Sequence, residues 1–176
     1  MAASCVAARE RKTEKYYRQH EADILSLLRD YRALNRQLPF ALAFTDKHYH
    51  HMGMTIQTDT MRYALNDEFG SSRYLQAIAG FGYDTSAIKS LQQRMGAIRC
   101  VRIGATDIFY RGRGDDAVIL SFRSLLFGNP FMDQKYYNLV AFEPGFINPE
   151  TDSLVRSQGY TRVRDDIYFK VMGTFR

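Results

Sequence analysis

The sequence predicts an α+β fold, in which a mainly antiparallel sheet is packed by a long N-terminal helix and two or three shorter helices. Three observations carry this. An amphipathic helical period opens the chain, short β-rich runs separated by turn residues fill its second half, and a glycine-rich tetrapeptide joins two of those runs as a hairpin would. At 176 residues, 45% hydrophobic and 24% charged, the chain is long enough to bury a core without disulfide or metal support. One domain over 9–176 is expected, behind a flexible N-terminal segment 1–8 that is also a candidate lipid anchor.

From about Arg9 to Arg36, the residues Tyr17, Ile24, Leu27, Leu28, Tyr31 and Leu34 recur at three- and four-residue steps among charged side chains, which is the spacing of one helix face. Pro39 disfavours further helix, and Phe40, Leu42 and Phe44 then alternate as one face of a strand. Strands are expected at Leu38–Thr45 and Met52–Thr58, joined through Asp46–His51. Met61–Phe69 fits either a strand or a helix. Arg73–Ala79 reads as a short helix between two glycine breaks. Asp84 or Thr85 can cap a helix running through Ile88 and Leu91 to Met95, with Gly96 at its C-terminal end. The remaining runs, Ile98–Ile103, Asp107–Arg111, Ala117–Phe122, Tyr136–Phe142 and Ile167–Met172, read as strands, and Ser153–Gln158 as a helical turn ending at Gly159. Gly112-Arg113-Gly114-Asp115 supplies residues that tolerate positive φ at a hairpin tip.

Function is concentrated, if anywhere, in one stretch. Three of the four histidines, His48, His50 and His51, lie within four residues, with Tyr49 between them and Met52 and Met54 just beyond. Were Lys47 to Ile56 extended, His48, His50, Met52, Met54 and Ile56 would share one face and Tyr49 and His51 the other. Imidazole suits zinc or copper and thioether suits copper(I), so His48, His50 and Met52 form a candidate ligand set. A structural zinc site needs four ligands, and only the distant His20 and Cys100 remain to complete one. The competing expectation is a hairpin connection with solvated histidines and packed methionines, whose neighbouring imidazoles gain charge together on mild acidification.

Composition excludes several classes. Cys5 and Cys100 are the only cysteines, so there is no disulfide framework, and both thiols are expected to be unpaired. The net charge of +5 is uneven, because Met1–Arg36 carries eight Lys or Arg against five Asp or Glu. The interleaved acids weaken the field of that segment, and no nucleic-acid motif or dense basic stripe accompanies it, which argues against nucleic acid as the partner. No apolar run approaches the ~18 residues of a membrane-spanning helix. Asp115-Asp116 and Asp165-Asp166 more readily shape turns than share a proton, since adjacent strand residues face opposite ways. No serine sits in a nucleophile elbow and no glycine cluster forms a phosphate loop.

Ala2-Ala3-Ser4-Cys5 resembles the end of a bacterial lipoprotein signal, in which small residues precede a cysteine that becomes the lipidated N-terminus. The similarity covers four residues and departs from the pattern in lacking Leu three positions before the cysteine and the charged and apolar segments upstream. It implies that Cys5 is an anchor and that the domain stands at the cell envelope; without it the expected location is the cytoplasm. Arg113-Gly114-Asp115 spells a tripeptide similar to the integrin-recognition motif, although a tight exposed turn calls for such residues anyway. Together these features predict a non-catalytic module that binds a protein or small ligand without a cofactor, through His48, Tyr49, His50 and His51 and a second tip at Arg113 and Asp115. The alternatives are a zinc- or copper-binding or hydrolytic protein using the histidine cluster, and a nucleic-acid-binding domain.

Overall fold

The computed structural model describes the backbone of residues 2–46, 48–106, 117–123 and 136–172, and the side chains of 14–46, 48–106, 117–122 and 136–171. The expected strand at 107–111, the glycine-rich turn at 112–115 and the loop at 127–130 lie outside the described residues. The chain is α+β. Helix α1 (Ala2–Asn35) leads into strands β1 (Phe40–Phe44), β2 (His51–Gln57) and β3 (Arg62–Glu68). Helices α2 (Ser72–Gly80) and α3 (Thr85–Ala97) follow, then β4 (Cys100–Thr106), β5 (Ala117–Arg123), β6 (Tyr136–Phe142), α4 (Pro149–Ser157), β7 (Thr161–Arg164) and β8 (Ile167–Met172). The eight strands among the described residues form one sheet in the order β3-β2-β1-β4-β5-β6-β8-β7, every pair antiparallel.

Strand alternation divides the sheet into two unequal faces. Phe40, Leu42 and Phe44, Met52, Met54 and Ile56, and Leu120 and Phe122 point to the face that α1, α2 and α3 cover, and all are buried with Ile24, Leu27, Leu28 and Tyr31 of α1. On the other face a smaller cluster of Ala117, Val140, Phe142 and Tyr168 packs on Val155 of α4. Helix α1 crosses its face with a break at His20, whose φ of −118° and ψ of 16° are not helical. It is tied to α3 by Arg94, which pairs with Asp30 at 2.8 Å and donates to Ser26 at 3.0 Å.

The helix ends show the local chemistry. Asp84 caps α3 by accepting from the backbone N–H of Ser86 and Ala87, and Ser71 caps α2 by accepting from Tyr74 N. Asn148 and Thr151 form a reciprocal capping box at α4 with Pro149 in its first turn, so the helix begins ahead of the expected 153–158. Gly96 does not end α3. The helix continues through Ala97, Ile98 is buried, and Arg99 takes the left-handed φ of 51° that turns the chain into β4. At the other end of the sheet, Asp165 with φ of 35° forms the β7–β8 turn, the role its acid pair suggests.

Candidate functional site

The β1–β2 connection holds the histidines. Thr45 N donates to His51 O at 3.0 Å and closes the hairpin, while Phe69 N donates to His50 O at 2.7 Å from the β3 side. Inside the turn the Asp46 carboxylate accepts from the backbone N–H of His48 (3.0 Å), His50 (2.9 Å) and His51 (2.8 Å). Partial desolvation works to raise this carboxyl, but those three N–H groups together outweigh it and hold Asp46 below the ordinary carboxylate range. The turn is thus stiffened from within by a charge that accepts three backbone N–H groups.

Tyr49 fixes the direction of the histidines. Its φ of 62° reverses the backbone, its ring stands edge-on to Phe44 at 4.9 Å, and its hydroxyl lies 3.4 Å from Arg99 O. With that side chain half-buried against the core, His48, His50 and His51 are left exposed. The rings of His48 and His50 face one another, 5.8 Å between centroids and 26° between planes.

This corrects the strict alternation expected from Lys47 onward. Extended backbone begins only at His51, because a left-handed residue at 49 interrupts the period. Met52, Met54 and Ile56 do share the core face and are sealed in it, whereas His48 and His50 stand in solvent. The proposed His48, His50 and Met52 ligand set is therefore not brought together. Among the described residues no three His, Cys, Asp or Glu side chains group so as to hold a metal ion. His20 lies 3.9 Å from Asp23 on α1, and Cys100 is a buried free thiol. The side chain of Cys5, and Arg113 and Asp115 entirely, lie outside the described residues.

A groove of about 610 Å³ runs between α1 and the end of β6 and the β7–β8 turn. Leu25, Leu28, Phe142 and Ile167 give it an apolar floor, and Arg32 and Glu143 meet at 3.1 Å on its wall. Arg32 Nη2 donates to Ala141 O at 3.0 Å and to Phe142 O at 2.7 Å, locking the helix to the end of β6. Burial pulls this guanidinium below its ordinary value against the opposing pull of Glu143. Arg36 pairs with the same Glu143, and Arg164 with Glu21 and Asp165. These groups are spent on one another, which makes the groove a seam holding α1 to the sheet.

The register also exposes a polar row that single-strand patterns conceal. Arg102, Ser121, Asn138 and Lys170 each interrupt an apolar strand, and they are successive cross-strand neighbours on β4, β5, β6 and β8. Ser121 and Asn138 are buried, and Asn138 Oδ1 has no hydrogen-bond partner among the described residues. The sequence signal was present as one polar residue per apolar run, but its alignment follows only from pairing. Lys170 donates to Gln158 O at 2.7 Å and sits over the Tyr160 ring at 4.8 Å, which fastens this end of the row to α4.

No family model, no curated protein and no solved structure matches the chain.

Proposed function

We propose that the protein is a non-catalytic interaction module that engages a protein partner through the histidine rim of the β1–β2 connection. The observation that carries this is the pair of solvent-exposed rings of His48 and His50, facing one another at 5.8 Å on a turn stiffened by Asp46. Polar aromatic rings on a rigid support contribute contact area at low ordering cost, which suits protein recognition. Catalysis is disfavoured because a general-base imidazole needs a carboxylate or carbonyl to orient it, and the carboxylate beside these rings serves the backbone instead. A metal is disfavoured because two imidazoles alone fall short of a ligand set, and among the described residues no third His, Cys, Asp or Glu groups with them.

Site-specific photo-crosslinking in the native host tests the reading. A photoreactive residue at position 48 or 50 should give a discrete protein adduct that persists with a metal chelator, while the same residue at Leu154, exposed on α4, should not. Absence of an adduct from positions 48, 50 and 51, or the same adduct from Leu154, would refute it.

A further inference from the structure

Strand β3 closes one edge of the sheet, and no strand lies on its outer side among the described residues. Its inner side is fully used. It pairs with β2 through seven consecutive residues with no register break, and the bonds Thr58 N to Met61 O (2.9 Å) and Phe69 N to His50 O (2.7 Å) extend the ladder at both ends. Those two bonds fix the phase of the strand. Residues 61, 63, 65, 67 and 69 turn their backbone groups toward β2, so Arg62, Ala64, Asn66 and Glu68 turn theirs outward. All four are exposed.

The two edges are treated differently. β7 is four residues long and has a register break between Arg162 and Arg164, both devices that discourage pairing. β3 has seven residues, no proline, no lysine and no bulge. Met61 and Tyr63, 57% and 37% exposed, are two of the four large hydrophobic side chains left in solvent among the described residues.

The charges on β3 name the occupant. Arg62 stands at one end and Glu68 at the other, and neither makes an ion pair among the described residues. An antiparallel second β3 with the two-fold axis at Leu65 sets Arg62 of each copy opposite Glu68 of the other, and Ala64 opposite Asn66. Every outward-turned residue then meets an outward-turned residue, which is the condition for a hydrogen-bonded pair, and about eight main-chain hydrogen bonds form across the axis. A parallel pairing would instead bring Arg62 beside Arg62. Burial and then the like charge of Arg62 hold the Arg102 guanidinium below its ordinary value, so a carboxylate arriving opposite Arg62 also offsets a repulsion within each copy.

We infer that β3 is a self-complementary edge through which two copies of this chain pair antiparallel, making one continuous sheet across a two-fold axis.

Sedimentation equilibrium of the full chain under reducing conditions, which remove any Cys5 crosslink, tests this. The wild-type chain should be a dimer. Ala64→Pro deletes an outward N–H and no bond of the β2 ladder, so it should be a monomer with an unchanged circular-dichroism spectrum. Arg62→Glu and Glu68→Arg should each weaken the dimer roughly tenfold at low salt, and the double exchange R62E/E68R should recover it. A monomeric wild type, a dimer indifferent to A64P, or a double exchange no tighter than its single parents would each overturn the inference. Should A64P fail to fold, the charge exchange decides alone.

Discussion

Replacing Tyr31 by phenylalanine removes one oxygen atom from the place where α1, β1 and β4 meet. The Tyr31 hydroxyl donates to Phe40 O at 2.5 Å, lies 3.0 Å from Asn35 Oδ1, and accepts from Ala105 N at 2.8 Å. The β1–β4 register runs from Ala43↔Arg102 through Leu42↔Ile103 to Ala41↔Gly104. One step further the ladder would join Phe40 to Ala105, and the hydroxyl occupies that step as a bridge. Asn35 completes the arrangement by accepting from Phe40 N at 2.9 Å. Tyr31 is fully buried, so the Phe variant leaves Phe40 O and Ala105 N without this partner in a place water does not reach freely. Each orphaned group costs about 1–3 kcal/mol, and partial closure of the two strands recovers some of it, giving an expected loss of about 2–4 kcal/mol. For a chain of this length that corresponds to a fall in Tm of roughly 5–15 °C. Urea unfolding should show a lower midpoint at unchanged slope. Tyr83→Phe is the internal comparison. Among the described residues its hydroxyl makes a single hydrogen bond, to Leu38 O at 2.9 Å, and its removal should cost about 1 kcal/mol. If Tyr31→Phe costs no more than Tyr83→Phe, the strands close unaided and the hydroxyl is not a bridge.

Two further outcomes follow from the same contacts. Burial pushes the Cys100 thiol up to about 12, so in a Cys5→Ser background a thiol reagent at pH 8 should find no reactive group in the folded chain and one after denaturation; labelling of the folded chain at the denatured rate would show that β4 and β5 open. Asp46 is depressed in the folded chain, so its stabilising contribution is complete above the unfolded value near about 3.9 and is lost as pH falls through the lower folded value. The amides of His48, His50 and His51 should therefore lose hydrogen-exchange protection in that acid window, and at neutral pH in Asp46→Ala. Unchanged protection in that variant would mean that the turn is held by something other than the carboxylate.

The elements whose bounds are legible from sequence are those buried on at least one face. β6 and β8 coincide with the apolar runs Tyr136–Phe142 and Ile167–Met172, and the buried face of α1 is the one its three- and four-residue spacing marks. β3 leaves strand and helix unresolved in the sequence because five of its seven residues are exposed, so burial imposes no alternation on it. β7 escapes detection because it is four residues long, with Val163 as its one apolar residue. The histidine rim is half legible. Polarity announces that residues 48–51 are outside, but the pairing of His48 with His50 depends on a left-handed tyrosine held by Phe44, and no local pattern announces a non-glycine residue in that conformation. The row Arg102, Ser121, Asn138 and Lys170 depends on register across four strands, which is a property of pairing and not of any one segment.

The rim and the free edge are neighbours, and this joins the two proposals. His51 is the cross-strand partner of Glu68, and His50 receives its bond from Phe69, so the rim sits at the C-terminal end of β3. Antiparallel pairing of two β3 strands sends the rims to opposite ends of the shared ladder, beside Arg62 of the other copy and separated by about 20–25 Å of strand. A partner with two matching epitopes at that spacing then binds with the effective concentration of a tethered second site, without any new contact. The two ideas also fail separately. Ala64→Pro removes the second rim but leaves the first intact, so crosslinking from position 50 should survive in the monomer while a bivalent partner loses apparent affinity. If crosslinking vanishes with A64P although the fold is preserved, the contact surface lies across the dimer axis and not on the histidine rim of a single copy.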